Sequence, residues 1–164
     1  MQNYQLAFLA VDGVEHQMER GWVEAIAAIA PLISARTYDS KYEYWQNAED
    51  PLIYETEGRS MEGLPMKSNE LPPPLDQMIV DTSHNPGRKI LREGYVEAIG
   101  HRMWLGLEFF RRVPGVRRDA LLAESWLHVV ELDNNVLELT AHKKPFVDET
   151  TAEIQNRLRA LLFS

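Results

Sequence analysis

The chain has 164 residues, no cysteine and a formal net charge of −8. This length suits one domain spanning residues 1–164, and the lack of Cys excludes a disulfide scaffold, a thiolate zinc site and a cysteine nucleophile. Residues 1–80 contain 13 acidic and 5 basic side chains, whereas residues 81–164 contain 12 of each, so the charge excess lies in the first half. Such a charge disfavours nucleic acid and attracts a basic partner, although it also serves plain solubility.

The first two predicted elements are a strand and a helix. The apolar run from Tyr4 to Val11 is typical of a buried strand, and it is too short and lacks the preceding basic residue expected of a signal peptide. From Val14 to about Ser34, apolar residues recur every three or four positions, which predicts a helix that breaks near Pro31. The longest apolar run elsewhere is shorter than a membrane span, so we expect a cytoplasmic protein without membrane contact.

Residues 35–75 are predicted to be a long irregular region that is both acidic and aromatic. It contains "YDSKYEYW", "NAEDPLIYETEG" and three consecutive prolines. Glycine, serine and proline punctuate the second part of this region, as is typical of loops. Within it, the run from Leu52 to Thr56 is predicted to be a short strand.

Three further elements are predicted between residues 76 and 124. They are a strand from Asp76 to Asp81, one or two strands joined by a bend from Tyr95 to Phe110, and a short helix from Arg117 to Glu124.

The C-terminal part contains a hairpin and a helix. Two β-rich runs flank the turn sequence at residues 133–135, and we expect Val130 to share an apolar face with Leu139. For the last helix, Thr150 and Glu153 fit a capping box, and the predicted buried stripe comprises Ile154, Leu158, Leu161 and Leu162. The order of elements predicts an α+β fold with a mainly antiparallel sheet, on which an N-terminal and a C-terminal helix pack over one face or one end.

No motif in the sequence specifies a catalytic centre. The five His residues lack the close spacing of zinc motifs, and neither a nucleophile elbow nor a phosphate-binding loop occurs. Glu55 and Glu57 would share a face of a strand and could form an acid–base pair, but no surrounding cleft can be inferred. We therefore expect a protein that is not an enzyme, with no catalytic residue, metal or cofactor.

Two basic clusters lie on predicted loops. The first comprises Arg88, Lys89 and Arg92, and the second comprises Arg111, Arg112, Arg117 and Arg118. Arginine and lysine on loops can contact phosphate, yet the chain as a whole is acidic. We therefore favour internal ion pairs with the acidic half over nucleic-acid binding.

The aromatic cluster between residues 38 and 45 has two interpretations. Tyrosine and tryptophan on loops supply large contact areas at low entropic cost, which is typical of interface hot spots. The same side chains would also cap a core beneath an irregular segment. The carboxylates that follow them in the chain keep the interface interpretation open.

The whole profile resembles the small cognate immunity proteins of bacterial polymorphic-toxin and type VI secretion systems. The segments that carry this likeness are "MERGWVEAIAAIAPLI", "HRMWLGLEFF" and "LTAHKKPFVDETTAEIQNRLRALLFS". The resemblance implies tight, non-catalytic binding to one toxin domain by blocking its active site. If the toxin acts on nucleic acid or nucleotides, its cleft is basic and an acidic, aromatic surface can occupy it.

The residues expected to bind the partner fall into two groups. The predicted anchors are Tyr42, Tyr44, Trp45 and Tyr54, and the predicted sources of negative charge are Glu49, Asp50, Glu55 and Glu57. Two other classes stay open: a ligand-binding or enzymatic domain with a pocket between the sheet and residues 38–74, and a structural protein of a phage or secretion machine. A homodimer is also left open.

Overall fold

The computed structural model describes residues 16–163, with side chains from residue 20 onward. The predicted strand from Tyr4 to Val11 lies outside these residues. Within them the helices are α1 (His16–Ile29), α2 (Ser40–Asn47), α3 (Pro51–Thr56), α4 (Leu107–Arg112), α5 (Arg118–Ala123) and α6 (Ala152–Phe163). The strands are β1 (Ser34–Thr37), β2 (Met66–Ser68), β3 (Met78–Val80), β4 (Ile90–Arg92), β5 (Tyr95–Glu97), β6 (Arg102–Leu105), β7 (His128–Glu131) and β8 (Leu137–Thr140).

The centre of the fold is a four-stranded antiparallel sheet with the strand order β1-β6-β8-β7. Two separate antiparallel hairpins, β2–β3 and β4–β5, lie between β1 and β6 in the sequence and are not part of the central sheet. The predicted α+β class with a mainly antiparallel sheet is therefore confirmed.

The two terminal helices cover opposite faces of the sheet, whereas the sequence predicted that they share one face or one end. Met103 and Leu139 point into the main core, where they pack with Leu158 of α6. Trp104, the next residue along β6, points the other way and packs with Val23 of α1. Because alternate strand residues face opposite sides, both sides of this sheet carry apolar side chains that a helix covers.

The predicted N-terminal helix is confirmed in part, since α1 ends at Ile29 and not near Ser34. Pro31 disfavours helical geometry in the residue before it, and the chain turns there and enters β1 at Ser34. The short helix predicted between Arg117 and Glu124 is confirmed as α5, and the strand predicted between Asp76 and Asp81 is confirmed as β3.

Residues 35–75, which the sequence described as irregular, contain β1, α2, α3 and β2. The predicted strand from Leu52 to Thr56 is wrong, because this run belongs to helix α3. The run from Tyr95 to Phe110 forms two strands as predicted, but its end enters helix α4. A small core of Ala48, Tyr54 and Val80 lies apart from the central sheet and holds α3 against the β2–β3 hairpin.

The hairpin β7–β8 is confirmed, but its predicted register is wrong. Val129 pairs with Leu139, and Val130 pairs with Glu138. The three-residue turn at 133–135 places Asn134 at a positive φ of 57°. A turn with an odd number of residues moves the pairing by one position relative to an even turn, and this exchanges the faces on which the side chains lie.

The C-terminal helix is confirmed, with a different cap and a partly polar buried side. The Asp148 carboxylate accepts a hydrogen bond from the Thr150 N–H and caps the 3-10 helix Glu149–Thr151 that leads into α6, in place of the predicted cap at Thr150. Leu158 and Leu162 are buried as expected, whereas Ile154 and Leu161 are half-buried. Gln155 and Arg159 are also buried on this helix.

Candidate functional site

The region with the predicted partner-binding residues is built on two short helices with acidic caps. Asp39 precedes α2, and its carboxylate accepts a hydrogen bond from the Tyr42 N–H at 2.7 Å. Asp50 precedes α3 and accepts one from the Leu52 N–H at 2.9 Å, while Pro51 fills the first helical turn. A carboxylate at a helix N-terminus satisfies a free N–H and interacts favourably with the helix dipole. The start of each helix is therefore specified by the local sequence, through the N-cap residues Asp39 and Asp50.

An aromatic stack connects α2 with α3. The rings of Tyr44 and Trp45 lie 5.1 Å apart edge to face, and Trp45 lies 5.1 Å from the ring of Tyr54. The Arg59 guanidinium lies 4.3 Å from the centre of the Trp45 ring, which is a cation–π distance. The stack fixes the orientation of the two helices and leaves Tyr44, which is 47% exposed, at its outer end.

Two of the four predicted anchors are held by the protein interior. Tyr54 is 3% exposed, and its hydroxyl donates a hydrogen bond to the Ala48 carbonyl at 2.9 Å. Tyr42 is half-buried against the main core, and its hydroxyl accepts a hydrogen bond from Gln155 Nε2 at 3.0 Å. Burial raises the pKa of both phenols. Of the predicted anchors, Tyr44 is exposed and can meet a partner without local opening, whereas Trp45 is half-buried and packs between Tyr44 and Tyr54.

Two of the four predicted carboxylates also have structural roles. Glu49 forms an ion pair with Lys67 at 2.8 Å and accepts a hydrogen bond from the Thr82 hydroxyl at 2.9 Å. The hydrogen bond with Glu49 raises the pKa of Lys67. Asp50 caps α3, as described above. In contrast, Glu55 and Glu57 are exposed and have no ion pair with any residue in the described range 16–163.

The basic clusters largely pair within their own half of the chain. Ion pairs join Arg92 to Glu97, Arg111 and Arg112 to Glu108, Arg117 to Asp119, and Arg118 to Glu131. Within residues 16–163, the ion pair from these clusters to a carboxylate of the first half is that of Lys89 with Glu43, at 2.9 Å. The expectation that the clusters neutralise the acidic half is therefore wrong for most of their members. Residues 38–62 keep seven acidic and two basic side chains.

Glu43 is a buried charged residue in this region that the sequence analysis did not identify. It is 8% exposed, although it carries a charge, and Arg36 and Lys89 both bind its carboxylate. Burial raises the pKa of Glu43, but the hydrogen bonds and charges of the two cations outweigh this effect and leave its pKa below the ordinary value. The sequence gives no sign that Glu43 is buried, because the side of the chain on which it lies is defined only once residues 40–47 are known to form a helix. The arrangement holds β1, α2 and the loop before β4 together.

Two clefts in the described part of the chain bear on the question of a ligand site. The first lies where the ligand-binding alternative requires a pocket, between Ile99, in the loop before β6, and Tyr38, Asp39 and Glu43, and its volume is about 10 Å³. That volume suits a single water molecule. The second cleft, of about 260 Å³, lies between the end of α1, the start of α4 and the β7–β8 turn, and the Glu108–Arg111 ion pair borders it.

Among residues 16–163, no group of three His, Asp or Glu side chains is placed to hold a metal ion. No helix between residues 16 and 163 has the length and apolar content needed to cross a membrane. Comparison of the chain with protein-family models, with curated proteins and with solved structures found no match.

Proposed function

We propose that the chain is an immunity protein that binds a cognate bacterial toxin domain and neutralises it by covering its active site. The binding surface consists of exposed side chains of α2, of α3 and of the C-cap residue that follows α3, and we call it the acidic face: Tyr44, Leu52, Glu55 and Glu57. The observation that carries the proposal is that Glu55 and Glu57 lack ion-pair partners among residues 16–163, while the basic clusters pair elsewhere. The negative charge of this surface is therefore available to a partner.

The chemistry of such a partner follows from the chemistry of the face. Carboxylates beside an exposed tyrosine and an exposed leucine suit a cleft that combines cationic groups with apolar walls. A toxin that acts on nucleic acid or nucleotides has such a cleft, since it must bind phosphates. The acidic face would enter that cleft in place of the substrate, and the long-range attraction would accelerate the encounter.

The acidic face is held rigidly, which favours binding. The Trp45 ring packs between Tyr44 and Tyr54, and α3 is capped at Asp50. A surface that is ordered before binding loses little conformational entropy when the complex forms. The role of Tyr54 and Asp50 in this account is to position the face and not to contact the partner.

The alternative of a ligand-binding or enzymatic domain has less support. It requires a pocket between the sheet and residues 38–74, and the cleft found there has a volume of about 10 Å³. Small-molecule sites are typically about 300–1,000 Å³. No observation among the described residues favours a structural role in a phage or secretion machine.

The test is neutralisation of the protein encoded by the adjacent gene. The two proteins are co-expressed, the complex is purified, and the activity of the toxin domain is measured against increasing amounts of this chain. We expect a stable complex and complete inhibition near equimolar ratio. Absence of a complex, or a complex that leaves the toxin fully active, would overturn the proposal.

A matched pair of variants locates the surface responsible. Glu55→Lys with Glu57→Lys is expected to raise the amount of this chain needed for inhibition. Glu93→Lys with Asp133→Lys changes the net charge equally at exposed positions of the second half and is expected to leave inhibition unchanged.

A further inference from the structure

The β2–β3 hairpin presents a concentration of exposed apolar side chains. Leu71, Leu75 and Met78 are each more than half exposed. All three lie in the loop of the hairpin or at the strand end next to it, where Met78 pairs with Ser68, and we call this group the hairpin tip. Met66, which is 39% exposed, pairs with Val80 at the other end of the hairpin. Exposed apolar side chains that cluster in this way mark interaction sites more often than scattered ones do.

The base of the hairpin is fixed to the body of the protein. Val80 is 3% exposed in the small core with Tyr54, and its N–H donates to the Glu49 carbonyl at 2.9 Å. The Lys67 ammonium binds the Glu49 carboxylate from the other strand of the hairpin. Both strands of the hairpin are therefore attached to the segment at which α3 begins.

The loop at the end of the hairpin is also ordered by its own hydrogen bonds. The Asn69 side chain accepts from the N–H groups of Leu71 and Gln77, both at 3.2 Å, and donates to the Leu75 carbonyl at 2.8 Å. The Asn69 N–H donates to the Gln77 carbonyl, and the Leu75 N–H donates to the Pro72 carbonyl, each at 3.0 Å. Three consecutive prolines restrict the backbone further. One asparagine thus holds Leu71 and Leu75 in a defined, exposed arrangement.

The charges around the tip indicate the kind of partner that it fits. Glu70 and Asp76 flank the apolar residues, and Lys67, the basic residue between positions 60 and 80, is paired with Glu49. A partner pocket with apolar walls and a basic rim would complement both features. A second copy of this chain would place acidic residues against acidic residues, so self-association through the tip is unfavourable.

We propose that the hairpin tip is an anchor that inserts into an apolar pocket with a basic rim on a partner protein. This inference depends on the proposed function only for the identity of that partner. It differs from the proposed function in where the main apolar contact lies, because it assigns that contact to the exposed Leu71, Leu75 and Met78 and not to Tyr44 and Leu52 of the acidic face.

The test is photo-crosslinking with the full chain, produced at its natural level in its own cells. The photoreactive residue p-benzoyl-phenylalanine is placed at Leu75, and in a matched control at Leu91, which is 81% exposed on the other hairpin. We expect crosslinks from position 75, and not from position 91, to one protein with an isoelectric point above neutrality. Glu70→Lys with Asp76→Lys in the same chain is expected to reduce this crosslink at least tenfold.

Other outcomes overturn the inference. Crosslinks to a second copy of the chain would replace the proposed anchor with a self-association surface. Equal crosslinking from positions 75 and 91, or a crosslink insensitive to the charge reversal, would show that the tip does not recognise a basic-rimmed pocket. The two proposals fail separately. A crosslinked partner that is not a toxin rejects the immunity function alone, whereas neutralisation of the toxin without a crosslink at position 75 rejects the anchor alone.

Discussion

The Glu138 carboxylate connects α1 to the central sheet through several donors. It is 3% exposed on β8, and it accepts hydrogen bonds from Arg20 of α1 at 2.8 and 2.9 Å and from the Trp104 indole at 2.9 Å. Burial raises the pKa of Glu138, but the hydrogen bonds from Arg20 and Trp104 and the nearby cations outweigh this effect and leave the pKa below its ordinary value. Removing one partner of a buried ion pair is strongly destabilising, because it leaves the other charge without compensation.

Replacing this carboxylate should destabilise the fold. We expect Glu138→Gln to lower the free energy of unfolding by about 3 kcal/mol, because it breaks a buried ion pair but leaves Arg20 partly solvated. Glu131→Gln, on the neighbouring strand, removes an exposed pair with Arg118 and should cost less than about 1 kcal/mol. Urea unfolding at neutral pH measures both values.

The difference in stability between wild type and Glu138→Gln is expected to depend on pH. Because the folded-state pKa of Glu138 is lowered, its contribution is fully present above the ordinary carboxyl pKa of 4.5 and is lost as the pH falls through the folded-state value. The difference in stability between wild type and Glu138→Gln should therefore be constant near neutrality and shrink in acid. A difference that grows below pH 4.5 would contradict the assigned ionisation state.

For the candidate site, the sequence shows which aromatic and acidic residues are present, but not which of them are exposed. The exposure of Tyr44, Glu55 and Glu57 agrees with the expectation of a solvent-facing surface, and the stack around Trp45 agrees with the alternative of a core cap. The interface interpretation thus fits Tyr44, and the interpretation as a core cap fits Trp45. Which tyrosine faces inward depends on helices α2 and α3, and the sequence analysis predicted neither of them.

Among the secondary-structure elements, helix α3 shows why residues 35–75 were hard to predict from the sequence. Its six residues are too few to display a helical period, and Leu52 to Tyr54 is an apolar run that suits a strand equally well. The decisive local signal was Asp50 followed by Pro51, an N-cap with proline in the first turn. Longer elements with clear periodicity, α1, α6 and the β7–β8 hairpin, were predictable, although the hairpin register depended on the length of its turn.

The cap of α3 yields a further prediction. Asp50→Ala removes the acceptor for the Leu52 N–H and should lower the free energy of unfolding by about 1 kcal/mol. Asp50→Asn keeps an acceptor and should recover most of this loss. Thermal and urea unfolding of the two variants provide the comparison, with Glu55→Ala as an exposed control on the same helix. Equal stability of the Ala and Asn variants would mean that Asp50 does not act as a cap.

At the scale of the whole molecule, the main feature is the uneven distribution of charge. The net charge of −8 originates from residues 1–80, and the fold does not bring most of the second half's arginines onto those carboxylates. The charge imbalance was evident from the sequence, but its persistence on the surface was not, since it depends on which loops lie side by side. A protein with such a face should associate with a basic partner quickly and in a salt-dependent manner.

The most direct test of the central claim is the salt dependence of the complex with the toxin domain encoded by the adjacent gene. The dissociation constant is measured between low and physiological salt for wild type, for Glu55→Lys with Glu57→Lys, and for the matched Glu93→Lys with Asp133→Lys. We expect that charge reversal on the acidic face weakens binding by about tenfold or more at low salt and flattens the salt dependence, while the control behaves like wild type. If reversal at Glu55 and Glu57 leaves a folded protein with unchanged affinity and unchanged salt dependence, the acidic face is not the binding surface.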